Sequence, residues 1–395
     1  MDTNLLARIS MSISRRSFVA TLGATGAGVL GLPLISSRGN ESLYAFQGVA
    51  DRRADRMLAE RPGMIRLDSN ENPNGPGERV FETIRRSLTK SNRYPVKAED
   101  DLIAAIAQVN GVKPENIILG CGSGELLRAA VYAFTTTEHG LVSPEPTFEA
   151  PGNFAKFLGR PVMSPKVDSE LKLDLNAMTD AAKGAGLVFF CNPNNPTATV
   201  HGKAAVQQYI DAVNKISPQT IILVDEAYHE YVDDPGYATA IPLALANPRV
   251  VVTRTFSKVF GIAGLRVGYA VGQPAVVGKM ASWLLGSNTS QLGLIAATAA
   301  VTDAQHIALE QKRNRATRAF TRKFFQDAGF KVFGSDANFM MVDIHRDSKA
   351  FKLECVKHNV AVGRQFPALP NYVRVSIGTM EEMRKALPVF KANLA

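Results

Sequence analysis

The sequence predicts an α/β fold: a mostly parallel mixed sheet sandwiched by helices, plus a smaller α+β domain toward the C-terminus. Two observations predict it. From about residue 80, short β-rich apolar runs alternate with longer segments of helical pattern. Those runs are unbroken, not alternating, which suits strands covered by helices on both faces.

The elements follow in order. Asn116 to Leu119 reads as a strand, running into a glycine loop and an apolar helix over Leu126 to Phe134. Gly186 to Phe190 is a second strand, ended by an Asn/Pro turn, with a helix near Ala204 to Ile216. Thr220 to Val224 and Arg249 to Val252 are further buried strands. A long helix, about Asp303 to Ala328, leads to the C-terminal segment. That segment reads strand (Lys331–Phe333), strand (Phe339–Val342), helix (Lys349–His358), strand (Val373–Ile377) and helix (Met380–Ala392). The expected division is an N-terminal leader over 1–50 and an arm belonging partly to the small domain over 51–80. A large domain over 81–305 and a small domain with the interdomain helix over 306–395 complete it.

Composition narrows the class. The chain has 395 residues, 46% of them hydrophobic and 21% charged, ordinary globular proportions that exclude a disordered or collagen-like protein. The formal charge of +9 is spread along the chain, without the basic tract or basic-aromatic interleaving of a nucleic-acid binder. Three cysteines without a CxxC pair exclude a disulfide scaffold and a cysteine-rich metal site, so no metal is expected.

The N-terminus reads as an address. Ser14-Arg15-Arg16-Ser17-Phe18 precedes an uncharged run from Ala20 to Ile35, a basic n-region before an apolar h-region. The run is too short and glycine-rich for a span of about 20 apolar residues. The paired arginines resemble a twin-arginine export signal, the bacterial route for proteins folded before crossing. Periplasmic or secreted localisation follows if the signal acts, and a cytoplasmic one if the segment is only an extension.

Four strand ends carry polar residues, and in open α/β sheets functional groups collect at such ends. Gly120-Cys121-Gly122-Ser123-Gly124-Glu125 enters a helix, so its backbone amides can face an anion; a merely tight connection has the same look. Asn194-Asn195-Pro196-Thr197 suits a rigid turn. Asp225 follows Ile221 to Val224, a depth at which an acid is expensive unless it meets a cation. Thr255-Phe256-Ser257-Lys258 ends another strand, with Arg266 beyond; such a lysine is either a solvated charge or an imine-forming group.

Together, Asn195, Asp225, Tyr228, Lys258 and Arg266 stand in the order and spacing of class I/II pyridoxal-phosphate aminotransferases of fold type I. Asn70-Glu71-Asn72-Pro73, Arg93-Tyr94-Pro95, Asn194-Asn195-Pro196-Thr197 and Ala263-Gly264-Leu265-Arg266-Val267-Gly268-Tyr269 resemble the histidinol-phosphate aminotransferase branch, over about Arg66 to Leu387. The resemblance implies pyridoxal 5′-phosphate as cofactor. It makes Lys258 the imine lysine and proton shuttle, and Asp225 the partner of the ring nitrogen. Asn195 and Tyr228 bond the ring oxygen. Ser123, Gly124, Thr255, Ser257 and Arg266 form the phosphate cup, and Phe148 stacks on the ring. It further implies Arg374 and Arg364 as substrate-anion residues, and a homodimer in which Tyr94 reaches the neighbour's phosphate.

Three departures bear on the substrate. The arm before Asn70 lacks the branch's proline-tyrosine pair, Phe148 replaces a tyrosine, and Ala198 replaces a glycine. An export signal also sits oddly on histidine synthesis. The expectation is therefore transamination between an amino acid, or a related amine, and a 2-oxo acid such as 2-oxoglutarate. Histidinol phosphate itself, or decarboxylase or lyase chemistry on the same fold, is the alternative. A cofactor-binding regulator, the non-enzymatic rival, commonly carries an appended DNA-binding domain, whereas the residues before Arg66 read as a signal.

Overall fold

The computed structural model describes residues 61–394; the expected export signal lies outside the described residues. Among the described residues eleven strands form three sheets. In chain order they are β1 (Ile65–Leu67), β2 (Ile117–Cys121), β3 (Leu141–Val142), β4 (Val162–Met163), β5 (Leu187–Cys191), β6 (Ile221–Asp225), β7 (Val250–Thr255), β8 (Val267–Gly272), β9 (Phe339–Asp343), β10 (Val360–Val362) and β11 (Tyr372–Ser376).

The main sheet has seven strands in the order β2-β8-β7-β6-β5-β3-β4. Every residue of β5, β6 and β7 is buried, as continuous Val/Ile/Leu/Phe runs demand when helices cover both faces. Burying each such side chain contributes about 1.5–3 kcal/mol, so these runs dominate the large core. The sheet is parallel except at β8, which is antiparallel to both β2 and β7. This exception matters for the site. The carboxyl ends of β2, β5, β6 and β7 share one edge, and reversed β8 starts at that same edge. Arg266, immediately before Val267, therefore joins groups that follow the other strands.

The second core gathers Leu67, Phe325, Met340, Val342, Phe351, Val373 and Phe390. It lies under two two-stranded sheets, parallel β1-β10 and antiparallel β9-β11. The helix Ala304–Asp327, capped by Asp303 accepting from the His306 N–H at 3.0 Å, ends by burying Phe325 in this core.

Two sequence expectations need correction. No strand forms over residues 331–333: between Gly329 and Gly334 the run is too short for a ladder, and Val332 makes only a single bridge to Val342. β1 and β10 are strands that the sequence reading passes over. Among the described residues no single helix is long and apolar enough to cross a membrane.

Candidate active site

The sheet edge places the residues one by one. Gly122 has φ +72°, a conformation glycine adopts without penalty. Beyond it the helix Ser123–Phe134 begins with no side-chain cap, so the amides of Ser123 and Gly124 lie in an uncapped first turn, suited to an anion. A Cβ on Gly122 would stand 2.2 Å from Arg266 Nη2, which measures how closely this loop meets the guanidinium. Arg266 Nη1 donates to the Ala263 carbonyl at 2.9 Å and to Ser257 Oγ at 3.3 Å. Ser257 in turn accepts from Thr255 Oγ1 at 3.0 Å. Amides, two hydroxyls and one guanidinium thus converge, a set suited to a phosphate dianion.

Asp225, 3% exposed, accepts from Thr253 Oγ1 at 3.1 Å. Burial pushes its carboxyl up to about 7; the Thr253 hydroxyl, the Ala227 N–H and Lys258 pull the other way. Lys258 Nζ lies 5.5 Å from the Tyr228 ring centre and donates to the Asn70 carbonyl at 3.1 Å. Burial first, then the charges of Arg374 and Arg266, bring this amine down to about 8. A lysine so poised is a usable base near neutral pH. Tyr228, held far above its ordinary range by burial, stays a phenol and accepts from Asn70 Nδ2 at 3.2 Å.

Arg374 lies across from this group. Its Nη1 donates to Asn195 Oδ1 at 2.8 Å and its Nη2 to the Asp68 carbonyl at 2.6 Å, while Nε is buried without a partner. Asn195 has thereby committed its oxygen and keeps its amide hydrogens for another acceptor. Arg364 does not share these contacts. It pairs with Glu149 and lies over the Phe366 ring, 4.4 Å from its centre, while Arg374 lies 5.5 Å from the same ring centre. Phe148 is partly buried against the large core. Tyr94 stands apart, 85% exposed, in a recess shared with Ser287 to Leu292.

The sequence pattern gives no role to Asn70, Glu149 or Phe366. Asn70 has φ +55°, and its neighbour word Glu71-Asn72-Pro73 was the available signal of a special turn. Glu149 and Phe366 carried no signal of their own.

A buried acid at a strand end, a lysine of lowered basicity, a phosphate-type cup and an arginine short of one anion define a site for an anionic, ring-nitrogen cofactor and a carboxylate substrate. The chain belongs to the class I and II aminotransferase family, whose sequence profile matches residues 62–390. It is 32% identical to a histidinol-phosphate aminotransferase of Symbiobacterium thermophilum over 334 residues, 84% of this chain and 91% of that protein. It is also 32% identical to histidinol-phosphate aminotransferase 1 of Nitrosococcus oceani, over 91% of this chain and 97% of the relative. A solved structure from Erwinia carotovora atroseptica, provisionally named a histidinol-phosphate aminotransferase, superposes with a TM-score of 0.80 at 31% identity, covering 83% of this chain and 95% of the other. The Sinorhizobium meliloti histidinol-phosphate aminotransferase, solved with pyridoxal-5′-phosphate, shares the fold at TM-score 0.79 and 23% identity, over 86% and 93% of the two chains. The protein is a pyridoxal-phosphate-dependent aminotransferase of fold type I, moving an amino group from an amino donor to a 2-oxo acid.

Proposed function

We propose that this aminotransferase takes an α-amino acid as donor, grips its carboxylate with Arg374, and runs the proton transfer through Lys258. The observation that carries this reading is Arg374 itself: half-buried, bonded to two neutral oxygens, with a buried Nε lacking a partner. A bound carboxylate would satisfy it.

The cofactor supplies, when bound, an aldehyde for covalent attachment and a ring that withdraws electrons from the donor's Cα. This chain's residues would hold it as follows. The Ser123 and Gly124 amides, Thr255, Ser257 and Arg266 take the phosphate. Asp225 takes the protonated ring nitrogen, whose charge would turn its costly burial into a paired one. Asn195, through its amide hydrogens, and Tyr228 bond the ring oxygen, and Phe148 covers a ring face. Lys258, as a free amine, would carry one proton to and from the donor. Its basicity near 8 lets the neutral amine accept that proton at ordinary pH.

The branch's usual substrate, histidinol phosphate, is not favoured: the arm lacks the proline-tyrosine pair, and Arg364 is engaged by Glu149. We further propose a homodimer, supported by the exposure of Tyr94, and export by the twin-arginine route to the periplasm or medium, supported by Arg15-Arg16 before an apolar run.

The decisive experiment is Lys258→Ala. It should lose borohydride-trappable cofactor and nearly all transamination while remaining folded. Retention of both would remove Lys258 from its role.

A further inference from the structure

We propose that Glu149 sets the charge of the side chain this enzyme accepts: by occupying Arg364 it favours amino and 2-oxo acids with one carboxylate and an uncharged side chain over dicarboxylates and phosphate esters. The inference rests on the reading that Arg374 takes the substrate carboxylate.

Two arginines flank the Phe366 ring, and they differ in what they already hold. The Arg374 guanidinium meets only the neutral oxygens of Asn195 and the Asp68 backbone. The Asp68 carboxylate has an oxygen 3.9 Å from Arg66 and adds only a through-space attraction to Arg374. Arg374 therefore carries a charge that no carboxylate meets by hydrogen bond. The Arg364 charge is met by a carboxylate, its Nη1 donates to the Gln365 carbonyl at 3.0 Å, and its flat face is covered by Phe366.

Glu149 is presented from a fixed platform. Just upstream, Thr147 Oγ1 donates to Asn194 Oδ1 at 2.7 Å and Asn194 Nδ2 donates to the Pro146 carbonyl at 3.1 Å, tying this loop to the Asn194-Asn195 turn. Just downstream, the helix Ala150–Phe157 begins. A substrate's second anion reaching Arg364 must displace Glu149, whereas an uncharged side chain has no ion pair to break. Both partners are about two-fifths exposed, so solvent screens the pair. The discrimination it gives is about fivefold, near the ceiling for an exposed ion pair.

The test uses two dead-end acids, glutarate and valerate, titrated into the cofactor-loaded enzyme. In Glu149→Gln the affinity for glutarate relative to valerate should rise about fivefold. The ratio of kcat/KM for glutamate over leucine should rise with it, through KM, and 1 M salt should shrink the gain. An unchanged ratio overturns the proposal. So does an equal loss of both acids, which is the mark of a purely structural role. Arg374→Ala in the same titration tests the underlying reading separately: undiminished binding of both acids would sink that reading, whatever Glu149→Gln does.

Discussion

Lys258 donates its Nζ hydrogen to the backbone carbonyl of Asn70 at 3.1 Å, and that same oxygen accepts from Asn338 Nδ2 at 2.9 Å. Asn70 also reaches Tyr228 through Nδ2, and its Oδ1 accepts from Ser376 Oγ at 2.9 Å. One residue of the N-terminal arm thus joins two groups of the large sheet edge to β11 and the segment before β9. Its carbonyl gives the free lysine amine a fixed acceptor.

Asn70 holds this post at φ +55°, where asparagine is tolerated and alanine costs about 1–2 kcal/mol. Both Asn70→Ala and Asn70→Gly lose the two side-chain bonds, each contributing about 1 kcal/mol. Glycine avoids the strain but gains unfolded-state freedom worth about 0.5–1 kcal/mol. Asn70→Ala should therefore unfold at lower urea than Asn70→Gly, by roughly 1 kcal/mol, with both below the parent. Equal stabilities would show that the left-handed backbone carries no penalty.

The cofactor-free chain should have an unusual pH profile, because Asp225 and Lys258 titrate toward each other. Asp225 is pushed up to about 7 from 3.8, so the native state holds the proton longer than the unfolded one. Its contribution is present at acid pH and is lost as pH rises through 7, by roughly 4 kcal/mol. Lys258, brought down to about 8 from 10.5, acts in the opposite sense: its contribution is present above 10.5 and is lost as pH falls through 8. Urea midpoints should pass through a minimum near pH 7–8. Asp225→Asn should stabilise the cofactor-free chain at pH 8 while abolishing catalysis. A destabilised Asn variant at that pH would contradict the cost assigned to the buried carboxylate.

Gly122→Ala should weaken cofactor binding more than it weakens the fold. The new methyl would sit 2.2 Å from Arg266 Nη2, and the φ of +72° adds about 1–2 kcal/mol of strain. Arg266 is a flexible side chain and can swing aside, so the contact is relieved by moving the phosphate-type cup. Pyridoxal phosphate affinity, followed by its absorbance, should fall about tenfold or more. An unchanged affinity would separate Arg266 from the cup.

Much of this site could be read from sequence because of how strands end. Unbroken apolar runs fix β5, β6 and β7, so the polar residues after them, Asn195, Asp225 and Thr255 to Lys258, gather on one edge. Arg266 is harder to place: only the reversal of β8 brings it there, and apolar pattern does not report strand direction. Asn70 acts through a carbonyl that every residue has. Glu149 and Arg364 meet across 215 residues of sequence, and no local pattern encodes that. β1 and β10, three residues each, are too short for periodicity to mark. Ala198, standing where the branch has glycine, takes φ +57° in the buried cluster with Tyr228 and Phe339. Packing of its methyl, about 0.8 kcal/mol, offsets much of the strain there.

Export can be tested without disturbing the site. Replacing Arg15 and Arg16 with lysines should keep the charge, leave a folded, active enzyme, and trap it in the cytoplasm. The phosphate-holding groups follow β2, end or follow β7 and precede β8, and so assemble only in the folded chain. A twin-arginine route would carry that assembled site across. Export of the double-lysine variant at the parent's efficiency would remove the route and leave the catalytic reading untouched.

Tyr94 offers the sharpest test of a shared site. It is 85% exposed in this chain, while Leu88, Val96, Trp283 and Leu285 are also more than half exposed. In the proposed homodimer, exposed apolar side chains of this kind are what a second copy would cover. If Tyr94 reaches the neighbour's phosphate, Tyr94→Phe removes one charge-assisted hydrogen bond, worth about 1.5–3 kcal/mol, and cofactor affinity should fall roughly tenfold to a hundredfold. Mixing decides between a bond across the dimer and one within a subunit. In a hybrid of Tyr94→Phe and Lys258→Ala chains, a trans-acting Tyr94 leaves one site with both groups native: Lys258 from the first chain, Tyr94 from the second. That site should bind cofactor with the parent's affinity and restore turnover to about half the parent's rate. If Tyr94 acts within its own subunit, every site in the hybrid lacks one group, and no native-affinity site appears at any mixing ratio.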